Sequence, residues 1–395
     1  MFYQVENNLQ NDLLLRIMKL QNRMAHNNMG GLLLSSNVNL FYLSGKIFMG
    51  YIWLPVEGEP WFFVRRPVNL EGLNVCYIRK PEDIIPLLAE QNVRVEGPVM
   101  LEGDMLTYNE WNRLAALFGS AEVQNGSTLL REARSIKTPY EISMLMESAR
   151  RQSDVYRTIP SIFRPGMTDN QLSIELERAM RLAGNLGLFR VSGPSMEVFM
   201  GSLLTGDNAS APSAYDFALG GEGIHPSIPI GQNGSPLNPG QSVMIDLNGN
   251  FTGYIADLTR TFSVGALPKE ALDAHKVAME IEDQLARLGK PGVTGEELYE
   301  AALRLAAAHN LSDKFMGLTQ QAKFVGHGVG LEINELPVLG VRSRIPLEPG
   351  MAIAIEPKFV FPGIGAVGLE DTYIVGGKGM ECIHDCPREI IDLVL

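Results

Sequence analysis

The chain has 395 residues, 45% of them apolar and 20% charged, a globular balance with length for two domains and a sizeable core. A net charge of −12 without a basic run offers little to a phosphate backbone, which argues against nucleic acid as a partner. Three cysteines, Cys76, Cys382 and Cys386, are too few for a disulfide framework and suit a reducing cytoplasm, and no uninterrupted apolar run reaches the ~18 residues of a membrane span.

In chain order, residues Glu6 to Asn27 read as an amphipathic helix rather than a signal peptide, because no basic stretch precedes an apolar one. Between residues 31 and 130, GLLLSS, FYLSG, YIWLPV and EPWFFVRRP read as strands, with VEGEP turning between the last two. EDIIPLLAEQ and YNEWNRLAALFG read as helices. This first domain, residues 1–132, is α/β and carries no chemical cluster. The texture changes at a long helix that starts at Pro139, and residues 133–395 form the second domain.

That second domain contains an internal resemblance. RPGMTDNQLSIELERAMRLAG starts at Arg164 and KPGVTGEELYEAALRLAAAHN starts at Lys290. In each, a threonine (Thr168 or Thr294) is followed three residues later by Gln171 or Glu297, the capping-box pattern before an amphipathic helix. The shared lead-in favours duplication over coincidence. Duplication then predicts matching strand pairs. GYIADLTRTFSVG (253–265) and GAVGLEDTYIVGG (365–377) match, so Asp257 answers to Glu370. Upstream, VMID ending at Asp246 answers to AIAIE ending at Glu356. Each half contributes a hairpin with one acid per arm.

Aspartate is depleted in strands, so acids inside apolar arms need a reason. If a two-fold axis relates the halves, four carboxylates converge in one apolar pocket and repel strongly. Two divalent cations cancel that charge. Oxygen ligands with one imidazole suit manganese, iron, cobalt or zinc. The fifth ligand candidate is His327 in GHGVGLE, whose flanking glycines allow close approach. His26, His275 and His309 fall in helical stretches and read as surface or helix-face residues.

The order Asp246, Asp257, His327, Glu356, Glu370, with DLTRTF, GHGVGLE and EP…GLEDT around it, resembles the pita-bread metallopeptidases, the family of Xaa-Pro aminopeptidases, prolidases and methionine aminopeptidases. NVNLFYLSG and PVEGEPWFFV resemble the creatinase-like N-terminal domain of the Xaa-Pro branch. The resemblance implies an α/β (α+β) fold, creatinase-like over 1–132 and a pseudo-twofold pita-bread catalytic domain over 133–395. It implies that the five residues ligate two divalent ions, manganese first among them, with Asp257 and Glu370 bridging. A metal-bridging hydroxide would attack the scissile carbonyl, and Glu356 would relay the proton. The same resemblance implies a cytoplasmic homodimer acting on a peptide or small amide, with no nucleic-acid or membrane partner.

Three positions depart from the family pattern. Family members carry an upstream histidine that contacts substrate or shuttles protons; His225 is the nearest candidate, four residues early. A histidine seven residues after the metal histidine is replaced by Asn334, which can hydrogen-bond substrate but cannot carry a proton. An arginine two residues before the last glutamate is replaced by Gly368. Non-peptidase relatives, such as ectoine hydrolase and a dimethylsulfoniopropionate lyase, supply the alternative reading, and a non-catalytic binding protein on the same fold is a weaker one. ECIHDC sets Cys382, His384 and Cys386 close together, but no fourth zinc ligand accompanies them, so a plain strand and turn is preferred.

Overall fold

A computed structural model of the chain describes residues 2–72, 74–193 and 200–394. The chain divides into two compact units, Met1–Arg134 and Ser135–Leu395. The first contains α1 (Phe2–His26), β1 (Gly31–Leu34), α2 (Asn37–Ser44), β2 (Met49–Pro55), β3 (Trp61–Arg66), β4 (Val75–Tyr77), α3 (Ile84–Glu90), β5 (Val99–Leu101), α4 (Tyr108–Ala115), β6 (Val123–Asn125) and α5 (Ser127–Ser135). Its sheet runs β4-β3-β2-β1-β5-β6, with the expected β2–β3 hairpin antiparallel and β1–β5–β6 parallel.

FYLSG is helical, not a strand. Ser36 caps α2, its side chain accepting from the Asn39 N–H. The Glu102 carboxylate accepts the Ser36 N–H at 2.8 Å and Asn39 Nδ2 at 2.6 Å, which places negative charge at a helix start. Gly45, at φ 66°, ends the helix in the left-handed region. These caps outweigh the strand preference of an aromatic run.

The second unit continues with α6 (Pro139–Tyr156), α7 (Ile159–Ile162), α8 (Asp169–Leu182), β7 (Gly201–Thr205), β8 (Ser242–Asn250), β9 (Ile255–Ser263), α9 (Lys269–Leu288), α10 (Gly295–Ala308), β10 (Phe324–Gly328), β11 (Glu335–Gly340), β12 (Ala352–Ile355), β13 (Lys358–Phe361), β14 (Gly365–Gly368), β15 (Asp371–Val375), β16 (Met380–Cys382) and β17 (Ile391–Asp392). One sheet runs β17-β9-β8-β7 and another β11-β10-β12-β15-β16, with β13-β14 forming a separate ribbon. Helix α6 packs apolar residues such as Tyr156 against β8 and β9, and α8 packs residues such as Leu172 against β7. Helix α9 packs Ile281 and its neighbours against β13 and β14, and α10 packs Leu298 and Ala302 against β10 and β11.

The two halves repeat their hydrogen bonds. Both capping boxes form, at Thr168–Gln171 and Thr294–Glu297. The lead-in of each then pairs with a Pro-Leu-x-Pro-Gly stretch, at 236–240 in one half and 346–350 in the other. Leu237 N–H donates to Met167 O at 3.0 Å, and Leu347 N–H donates to Val293 O at 2.7 Å. Gly240 N–H reaches Val264 O at 2.7 Å, and Gly350 N–H reaches Val375 O at 2.9 Å. Duplicated sequence has become duplicated structure.

The β8–β9 hairpin turns at residues 251–254, with Asn250 paired to Ile255. Asn248-Gly249 lies within the arm, Asp246 faces Thr259, and Asp257 faces Asn248. The two acids are therefore diagonal neighbours on one face, because 246 and 248 share a side of the pleat. In the other half the expected strand 365–377 is broken into β14 and β15 at Leu369-Glu370, so Glu356 and Glu370 sit where the ribbon leaves the sheet.

Candidate metal centre

Strand β9 of one sheet meets the start of β15 of the other at an antiparallel bridge between Thr259 and Glu370. The Thr259 hydroxyl donates to Glu370 Oε2 at 2.7 Å. Two residues away on each side, Asp257 N–H donates to Thr372 Oγ1 at 2.9 Å, and that hydroxyl donates to Asp257 O at 3.0 Å. The repeated pattern acid-x-Thr, Asp257-Leu258-Thr259 and Glu370-Asp371-Thr372, thus crosses itself about a local two-fold. Each threonine holds the acid segment of the other half.

This junction brings the five candidate ligands together. His327 Nε2 lies 3.9 Å from Asp257 Oδ2, 3.6 Å from Glu356 Oε1 and 4.0 Å from Glu370 Oε1. The His327 ring aims Nδ1 at Gly328 O, 3.2 Å away, so Nδ1 donates there and the Nε2 lone pair faces the acids. Asp257, Glu356 and Glu370 are buried, whereas the Asp246 side chain is 28% exposed and that of His327 16%, leaving the cluster accessible along those two residues.

Sequence reasoning missed a sixth member. Lys358, wholly buried, hydrogen-bonds Glu356 Oε2 and lies 3.5 Å from both Asp246 Oδ2 and Glu370 Oε2. Burial alone would pull its ammonium down, but the carboxylates of Glu356, Glu370 and Asp246 outweigh that and hold its pKa well above the ordinary lysine value. One ammonium does not neutralise four carboxylates. Burial, then the carboxylates of Glu370, Asp246 and Glu356, push Asp257 well above the usual range. Burial foremost also raises Asp246, to about 6, with Lys358 opposing. The signal for Lys358 was its i+2 spacing from Glu356, which puts both on one face of an extended chain.

The donor set fits a divalent cation. Ligand atoms bound at ~2.0–2.2 Å stand at most about twice that apart; His327 Nε2 lies within that reach of Asp257, Glu356 and Glu370 oxygens, and Asp257, His327 and Glu370 each bring a ligand atom within 4.8 Å of the others. Glu370 Oε1 is buried and has no hydrogen-bond partner among the described residues, an orphan acceptor that a cation would satisfy.

His225 is not brought to this cluster. It lies exposed in a tight turn bridged to Ile228, and its Nδ1 contacts Ser227 Oγ at 2.8 Å. The proline after it and the short bridge fold the imidazole onto its own loop. Asn334 is likewise engaged elsewhere: its Oδ1 accepts Ser192 N–H at 2.7 Å, and its Nδ2 donates to Ser192 O at 2.9 Å. Both ends of the amide are used on backbone. His275 is buried rather than surface-facing, donating Nε2–H to Arg388 O at 2.7 Å. His384 Nδ1 accepts Thr372 N–H at 3.1 Å and lies 3.3 Å from Asp371 Oδ1, and Nε2 donates to Gln152 Oε1 at 3.2 Å; Asp371, Cys382 and His384 each bring one potential ligand atom within 4.8 Å of the others.

A duplicated pair of sheets that gathers buried acids and an imidazole at its seam defines a pita-bread metallohydrolase. Residues 143–376 match metallopeptidase family M24 and residues 16–136 match the creatinase/prolidase N-terminal domain, and the chain belongs to family M24. It is 28% identical over 390 residues to the uncharacterized peptidase YqhT of Bacillus subtilis, covering 96% of this chain and 100% of that one. It is 23% identical to the Xaa-Pro dipeptidase of Pyrococcus furiosus, covering 95% and 99%. Among solved structures, the Xaa-Pro dipeptidase of Bacillus anthracis superposes with a TM-score of 0.78 at 25% identity, covering 96% of this chain and 99% of that one. Peptidase relatives favour amide-bond hydrolysis over the small-metabolite alternative. No described helix is long and apolar enough to cross a membrane.

Proposed function

We propose that the chain hydrolyses the amide bond of short peptides in the manner of an Xaa-Pro dipeptidase or aminopeptidase, using a divalent cation held by Asp257, His327, Glu356 and Glu370. The gathering of three carboxylates around His327 Nε2, with Glu370 Oε1 otherwise unpartnered, carries this reading. The printed names of the full-length relatives support the substrate class.

When bound, the cation supplies Lewis-acid polarisation of the scissile carbonyl and lowers the pKa of water. The chain's own residues do the rest. Thr259 and Thr372 hold the acid segments so that the donor atoms meet without rearrangement. His327 contributes a neutral nitrogen because Gly328 O takes its other N–H. Glu356, with one oxygen toward His327 and the other on Lys358, is placed to accept a proton at Oε1 and pass it toward the leaving amine. Burial of three of the acids excludes competing water and strengthens each interaction.

The test is an assay of Xaa-Pro dipeptides beside small amides, after chelation and after adding back manganese. Turnover of proline dipeptides that disappears on chelation and returns with the metal is expected. No hydrolysis of any proline dipeptide under metal-replete conditions removes the substrate assignment.

A further inference from the structure

The cluster separates into two cation positions, and the carboxylate oxygens divide cleanly between them. Asp257 Oδ2, Glu356 Oε1 and Glu370 Oε1 surround His327 Nε2. Asp246 Oδ2, Glu356 Oε2 and Glu370 Oε2 surround Lys358 Nζ. Glu356 and Glu370 each turn one oxygen to either side, the arrangement in which two carboxylates bridge adjacent positive charges. We propose that the Lys358 ammonium permanently fills the second position, so that this centre carries one divalent ion per chain, on the His327 side, instead of a pair. The proposal rests on the metallopeptidase reading above and deepens it.

Three observations on the page carry it. The first is reach: an ammonium with three donors faces three carboxylate oxygens, one for each N–H, so its valence is spent on the groups a second ion would need. The second is room. Lys358 pairs with Gly368 across the β13–β14 ribbon. Gly368 has φ +151°, and a Cβ there would stand 2.3 Å from Pro357 O, 2.8 Å from Lys358 Cα and 3.1 Å from Lys358 Cγ. Glycine at 368 thus lets the two strands approach closely at Lys358 and leaves room beside the lysine stem. The third is charge. Lys358 is fully buried, and a second divalent ion drawing on the same Asp246, Glu356 and Glu370 oxygens would meet the ammonium at contact distance with no carboxylate between them. One divalent ion with the ammonium neutralises three of the four carboxylate charges. The fourth acid, Asp246, is the most exposed of the group and is the one best able to keep its charge in water.

Metal-stripped full-length protein, titrated with manganese chloride, tests this by counting bound ions and by electron paramagnetic resonance. The wild-type chain is expected to saturate at one manganese with an uncoupled six-line spectrum at every loading. Lys358→Ala, checked for native circular dichroism, is expected to take up a second ion and show the exchange-coupled signal of a pair ~3.5–4 Å apart. Two ions with a coupled spectrum in the wild type overturn the proposal and leave the metallopeptidase reading standing. A folded Lys358→Ala chain that still stops at one ion also overturns it. No bound manganese in either protein sinks the metallopeptidase reading and this inference with it. If Lys358→Ala does not fold, the wild-type spectrum and stoichiometry decide alone.

Discussion

Thr259 and Glu370 are joined twice through the backbone and once through the side chain: Glu370 N–H donates to Thr259 O at 3.1 Å, Thr259 N–H donates to Glu370 O at 3.3 Å, and the Thr259 hydroxyl donates to Glu370 Oε2. This contact joins the two halves of the duplicated unit, and it orients a carboxylate that faces both cation positions. Thr259→Val keeps the shape and removes the hydroxyl. Divalent-ion affinity, read by calorimetric titration, is expected to fall by ~10–100-fold, the usual loss when a ligand's supporting hydrogen bond is deleted, with circular dichroism unchanged. Undiminished affinity would remove this role from Thr259.

Glu356 sits between His327 and Lys358. Glu356→Ala is expected to reduce kcat by at least ~100-fold, the range for a positioned acid–base group, while the protein still folds. Because the residue is also a proposed ligand, the ion count belongs beside the kinetics. Full activity in this variant contradicts its place in the chemistry.

Lys137 and Glu335 form a buried ion pair, Nζ to Oε2 at 2.8 Å, with side-chain exposures of 1% and 2%. Glu335 Oε1 meanwhile accepts the Leu331 and Glu332 N–H groups at 3.0 and 3.3 Å. The pair thereby shapes the loop that follows His327. Lys137→Ala removes the buried cation from beside Glu335 and is expected to cost about 3–5 kcal/mol in urea unfolding. A change within the ~0.5 kcal/mol of an ordinary surface substitution would show that the loop holds itself.

Burial chiefly drives the His275 pKa down, from 6.5 to about 4. The unfolded ring therefore takes up its proton near pH 6.5, and the folded one only near pH 4. Between those values the unfolded state binds more protons, so stability is complete above pH 6.5 and declines as pH falls toward 4, by about 3 kcal/mol from this one group. Unfolding curves across that window should show a shallower decline for His275→Gln than for the parent chain; identical slopes refute the assignment.

Much of the architecture was legible because it is written locally. The repeated lead-in and capping boxes at Thr168 and Thr294 announced the duplication, and the duplication located all four acids. FYLSG misled because its helix depends on Glu102, more than sixty residues away and invisible to a local window. His225 and Asn334 were read by alignment of spacing alone, and spacing does not reveal that Ser227 and Ser192 occupy their polar atoms.

The sequence by itself determined the two related halves and the order of acids and imidazole. Only the tertiary structure decided how those acids group around His327 and Lys358. Glu356 and Lys358 share a face only if the chain stays extended through Pro357, and the strand that carries Lys358 pairs this closely because Gly368, opposite it, has no side chain. Strand pairing and burial set those directions, and both are properties of residues that meet in space after the halves have folded together.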